Sequence, residues 1–169
     1  MFTIPRLGGV AAILAGILRA VLIGVPLTTL GPSGLETLYL AIDLAILLGL
    51  VGLAVKFGHW LGLWGLIGLI VAAAGLLIIR TGDRTLVPAA YQSGAALLAI
   101  GMAAMSAPLL RAPGIGRIAA ALLIASPVAG IIGAAAGSTI IASDVATALF
   151  SAGLIALGLT LLRSNAPAG

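Results

Sequence analysis

The chain has 169 residues, 62% of them hydrophobic and only 7% charged, against about one quarter charged in an ordinary soluble domain. Eight Lys and Arg with four Asp and Glu cannot supply the polar surface of a soluble globule, so the composition points to an all-α, polytopic membrane protein that turns its apolar surface to lipid. The absence of cysteine excludes disulfides, thiolate catalysis and Cys-ligated metal, and a net charge of +4 without any basic run excludes a nucleic-acid footprint.

Taken in order, the chain reads as one transmembrane domain, 1–169, with six helical spans in a compact bundle. The first, 7–30, is longer than the hydrophobic core of a cleavable signal peptide and is read as a retained span. Pro26 near its end removes a hydrogen bond to the Leu22 carbonyl, which predicts a kink or an early stop. Gly31, Pro32, Ser33 and Gly34 predict a tight turn. The second span covers 36–55 and ends at Lys56, and the third covers 60–79, with Trp60 and Trp64 at its mouth as suits the headgroup region. A loop over 81–90 leads to the fourth span, 91–110. The fifth, 118–141, carries Pro127 in its middle, which predicts a second kink, and the sixth is 144–162. The spans group into three hairpins, a faint repeat in which the second helix of each begins polar and ends basic.

Orientation follows from the basic residues at the span ends. Arg6, Lys56, Arg111, Arg117 and Arg163 fall on one side, against Arg80 and Arg84 on the other, so the positive-inside rule predicts both termini in the cytoplasm. The compositional look is that of a small protein of a bacterial inner (plasma) membrane.

Two charges lie well inside apolar stretches, Arg19 in the first span and Asp43 in the second. An isolated Arg or Asp at mid-bilayer costs roughly 2.5–3.5 kcal/mol on the insertion scale, so each is expected to have a partner or a water-filled cavity. Counted from the turn, Arg19 and Asp43 lie about 16 and 12 Å deep, an offset that a guanidinium spans, so they are expected to pair. Glu36, Tyr39 and Asp43 are spaced i, i+3, i+7 and share one helix face, a polar track leading towards Arg19. Two readings stay open: a site for an anionic or zwitterionic solute, a proton relay or a lipid headgroup, and a self-satisfied ion pair that fixes helix packing.

Small residues also recur at four-residue intervals. Gly8, Ala12, Gly16, Ala20 and Gly24 do so in the first span, and Ala121, Ala125, Ala129, Gly133 and Gly137 in the fifth; such stripes let helix backbones approach closely in lipid. Their main expected use is packing inside the bundle, with an interface to a homo-oligomer or a larger membrane complex as the other. His59, the single histidine, has no second ligand at metal spacing, so no metal or other cofactor is expected. Gly62, Gly65 and Gly68 lie within an apolar helix rather than after a strand, which argues against a nucleotide loop. No hydrolase or metalloprotease motif occurs, so no catalysis is expected. Two functions stand: a helical packing module or accessory subunit of a membrane assembly, which is preferred, and a small transporter, channel or lipid-handling protein built on Arg19 and the carboxylates. The expected surroundings are the lipid bilayer, without nucleic acid.

Overall fold

A computed structural model describes residues 3–24, 31–81, 88–111 and 114–163, and every regular element among them is helical. We number the helices α1 (Ile4–Gly24), α2 (Gly31–Thr81), α3 (Pro88–Ser106), α4 (Ile115–Ala135) and α5 (Ala146–Arg163). A 3₁₀ turn, Ala107–Arg111, tightens the end of α3, and a π-helical turn, Ile140–Val145, leads into α5. Helices satisfy every backbone group internally, which is the requirement hydrocarbon imposes. Among the described residues five helical stretches are long and apolar enough to cross a membrane: Ile4–Ile23, Ser33–Thr81, Gln92–Arg111, Ile115–Ala135 and Ile140–Arg163.

The 51 residues of α2 would measure about 75 Å if straight, more than twice the hydrocarbon thickness. They are not straight. Gly62 has φ 59° and ψ −169° inside the helix, and Arg80 beyond it contacts both Glu36 and Asp43 before it. In a straight helix Arg80 and Asp43 would stand about 55 Å apart, so α2 folds back on itself and consists of two antiparallel arms, 31–61 and 63–81. This corrects the expected boundary at 56–59, because the helix runs on through Lys56, His59 and Trp60. Lys56 does not end it: its ammonium donates to the Leu161 carbonyl at 2.6 Å, so the charge is accommodated against a neighbouring helix. Gly62 ends it because its φ and ψ fall in a region open essentially to glycine alone. Gly62→Ala is therefore expected to cost about 1–3 kcal/mol although open space surrounds the added methyl. Thermal unfolding followed by Trp60 and Trp64 fluorescence, on either side of the turn, checks this.

The other boundaries move by a few residues: the turn expected at Gly31, Pro32, Ser33 and Gly34 is instead the start of α2, which begins at Gly31 with φ 64° rather than at 36. α3 begins at Pro88, a residue pre-set for the first helical position. α4 stops at Ala135 rather than 141, since Gly137 takes φ 66°. Its N–H bonds the Ala134 carbonyl at 3.2 Å and the Ser138 N–H bonds the Gly133 carbonyl at 2.9 Å, the pairing of a Schellman cap. Pro127 lies inside α4 without interrupting it; Ser126 beside it donates its hydroxyl to the Ala146 carbonyl at 2.8 Å, tying α4 to the start of α5. Pro26 lies outside the described residues.

Glycines set which helices touch. α1 packs against the first arm of α2, where a Cβ on Gly8 would lie 2.7 Å from the Leu48 carbonyl oxygen and 2.8 Å from the Gly52 Cα. Gly16, two steps further along the same stripe, instead faces α5, with the Ser151 carbonyl oxygen 2.6 Å from its added Cβ. Four residues turn a helix by about 40° beyond a full circle, so a four-residue stripe drifts from one neighbour to the next. Ala12 is buried between them and Ala20 is exposed, while the surroundings of Gly24 lie outside what the structure describes. In the fifth-span stripe Ala129 is half-buried and Gly133 touches the backbone of Ala142. Gly137 is corrected from packing residue to cap, as a Cβ there would meet nothing within 4 Å.

A long close seam joins the second arm of α2 to α3. Gly68 and Gly75 face Gly101 and Gly94: a Cβ on Gly68 would sit 2.5 Å from the Met105 nitrogen, and one on Gly94 2.8 Å from the Ile79 nitrogen. Added carbons on Gly75 and Gly101 would overlap the backbone nitrogens of Leu98 and Ala72. The two pairs are seven residues apart on each helix, a spacing that keeps one face turned to one neighbour over two helical turns. Inside the bundle Ile42, Ile46, Leu53, Met102, Leu123 and Leu157 are fully buried, while Leu14, Leu48, Leu63, Trp64 and Ile70 are among the large apolar side chains exposed outside.

Candidate functional site

The antiparallel arrangement sorts the chain into two ends. One gathers Arg6, Lys56, Arg117 and Arg163, where Lys56 meets Leu161 and Gly8 meets Gly52. The other gathers the end of α1, both ends of α2, the start of α3, the second half of α4 and the π turn, and there a cavity of about 1120 Å³ opens among all five helices.

Every polar residue singled out in the first two spans lines this cavity: Arg19, Glu36, Tyr39 and Asp43. Along the face of α2 the track deepens as its spacing requires, with Glu36 exposed, Tyr39 half-buried and Asp43 8% exposed. The expected Arg19–Asp43 pair, however, is not formed. Among the described residues the ion pair of Asp43 is with Arg80, whose Nε lies 3.7 Å from Oδ2, and Arg80 also donates through Nη2 to the Glu36 carbonyl at 3.2 Å. The fold-back at Gly62 lays the end of the second arm beside the start of the first, so Arg80 arrives at the carboxylate from the same helix. Counted along the chain Arg80 sits at the outer end of its arm, one residue before the end of α2, and its side chain reaches inward to the carboxylate.

Arg19 is left with a different environment. Its guanidinium carbon lies 5.4 Å from the centroid of the Phe150 ring, within the range of a cation–π contact. Its Nε is buried and finds no acceptor among the described residues. A guanidinium carries five N–H donors and no acceptor, so this one lines the cavity with bonding capacity that no described residue uses. Phe150 is itself buried at 8% exposure and fixes the position of the group from α5.

The cavity is also lined by Arg80, Asp144, Ser126 and Phe150, none of which the residue pattern singles out for the site. Asp144 is exposed and accepts a hydrogen bond from the Ser143 hydroxyl. It stands six residues before Phe150, about 9 Å along the helix axis. Glu36 stands a comparable seven residues from Asp43. The cavity is therefore layered: Arg19 over Phe150 and the Asp43–Arg80 pair at depth, and the carboxylates of Glu36 and Asp144 nearer its outer end. A signal for Arg80 was present in the sequence, since it closes a span whose antiparallel partner begins with Glu36. Phe150 gave none.

The arrangement can hold an oxyanion on Arg19 and a cation near the outer carboxylates. It does not gather metal ligands: among the described residues no three of His, Cys, Asp or Glu come together. His59 is exposed on the first arm of α2, close to the Gly62 turn at the opposite end of the bundle. No family model matches the chain, and neither the curated proteins nor the solved structures contain a match to it.

Proposed function

We propose that this chain is an integral membrane protein of six crossings, the two arms of α2 counting as two, that binds a charged small molecule in the cavity between its helices. Both termini and the basic end face the cytoplasm, and the cavity belongs to the outer half of the membrane, in keeping with five basic residues against two at the span ends. The observation that carries the reading is Arg19, held against Phe150 with a buried Nε that no described protein group accepts from, on the wall of a cavity of about 1120 Å³. Ionisable groups inside a membrane that are not spent on each other mark binding sites and pathways.

Two features favour a ligand-binding protein over a packing module. The glycines that would have served a partner, Gly8, Gly16 and Gly133, are engaged with neighbouring helices of the same chain, and a module needs no polar cavity. Handling a ligand by a small transporter or lipid-binding protein calls for one. Native mass spectrometry of the protein released from mild detergent tests the proposal: wild type is expected to carry an added small-molecule mass that Arg19→Gln lacks. A bare wild-type mass under conditions that preserve non-covalent lipid adducts on other membrane proteins overturns it.

A further inference from the structure

We infer that the ligand of this cavity is a zwitterionic phospholipid, its phosphate on Arg19 and its ammonium head at Glu36 and Asp144. The inference rests on the binding-cavity reading above and adds the chemical class of the ligand and its route of entry.

Three observations converge on it. Among the described residues the deep layer holds one cation without an acidic partner, because Arg80 is paired with Asp43 while Arg19 meets a ring. Guanidinium groups match phosphate oxygens in geometry and charge, and the guanidinium of Arg19, which lines the cavity and meets no acceptor among the described residues, suits an oxyanion that has left water. Next, the outer layer carries two exposed carboxylates, Glu36 and Asp144, about two turns above the deep layer. A purely anionic ligand would meet no opposite charge at Glu36 and Asp144. A ligand with its anion inside and its cation outside meets the opposite charge at each level.

The last observation separates a lipid from a soluble zwitterion. The cavity wall includes Ile100 of α3 and Ile131 of α4, which are 61% and 70% exposed. They are apolar, they stand on facing helices, and they belong both to the cavity and to the outer surface of the bundle. The cavity thus reaches the lipid-facing side between α3 and α4, which lets acyl chains stay in the bilayer while the headgroup enters sideways. A soluble solute has no use for such an opening.

The test uses the full chain purified in detergent with equimolar phosphatidylethanolamine and phosphatidylglycerol, read by native mass spectrometry, with inorganic phosphate added in a separate arm. Wild type is expected to retain phosphatidylethanolamine over phosphatidylglycerol by about fivefold, the scale of a screened charge contact. Arg19→Gln is expected to lose both lipids, Arg19→Lys to keep part of the binding, and Glu36→Gln with Asp144→Asn to keep binding but lose the preference. Ile131→Trp, which fills the lateral opening, is expected to weaken lipid retention; size-exclusion profiles matching wild type show that each variant is folded. Equal retention of the two lipids overturns the zwitterion, as does full retention by Arg19→Gln. A bound mass that depends on Arg19 but is displaced by inorganic phosphate, or is not a phospholipid, overturns the lipid and leaves the binding cavity standing. No bound mass in wild type overturns both.

Discussion

Gly101→Val is expected to be the most damaging single substitution in this protein, lowering stability by about 3 kcal/mol or more, the upper range of overpacking. A Cβ at Gly101 would overlap the backbone nitrogen of Ala72 and lie 2.6 Å from the Gly68 carbonyl oxygen. Backbone atoms cannot rotate aside as the end of a side chain can, so α3 would have to move away from the second arm of α2. In lipid that separation is especially costly, because helix association there depends on close van der Waals packing rather than on expulsion of water. Gly75→Val, one step along the same seam, is expected to behave alike, and the two together to be less than additive, since the first already parts the helices. The control is Gly58→Ala. Gly58 is helical with nothing within 4 Å of an added Cβ, so alanine is expected to be neutral or to stabilise by up to about 1 kcal/mol through the unfolded chain. Equilibrium unfolding in mixed micelles, monitored by tryptophan fluorescence, separates the two classes. Comparable effects at Gly101 and Gly58 would mean that the seam is not close-packed.

The Asp43–Arg80 pair is expected to respond asymmetrically. Arg80→Leu removes the cation 3.7 Å from a carboxylate that is 8% exposed at the residue level, with an expected loss of about 1.5–3 kcal/mol, the contribution of one contact to a charged group. Asp43→Leu is expected to cost less. Arg80 stands next to the final residue of α2 and also donates to the Glu36 carbonyl, so its long side chain can reach the interface once the acid is gone. The double variant is expected to recover part of the loss, since the half-exposed Arg80 and the buried Asp43 then leave together and neither charge stays behind in the pair. The same unfolding assay reads all three variants, and a double-mutant cycle with no coupling would show that the pair contributes nothing.

Much of this architecture was legible in the amino-acid sequence. The membrane class follows from composition alone, because eight basic and four acidic residues among 169 leave no other solvent for the apolar surface. The helical segments follow from the lengths of the apolar stretches, and the polar face of Glu36, Tyr39 and Asp43 from helical spacing, since both are properties of a single rod. All three residues do line one cavity with Arg19.

What the tertiary structure alone decided is which rods lie beside which. Spacing fixes the face of a helix but not the neighbour that face meets, so Asp43 could answer to Arg19 or to Arg80, and the fold-back at Gly62 brought Arg80. That turn was hidden for a physical reason: in lipid a turn can be made by one glycine at positive φ without any polar residue to announce it, whereas the polar Lys56 and His59 nearby are carried on continuous helix. The Gly68, Gly75, Gly94 and Gly101 seam was equally silent, because among 24 glycines only the partner's backbone tells a contact from an open position. Phe150 became the support of Arg19 through the docking of α5 against α1, a contact between segments more than a hundred residues apart that no local pattern encodes.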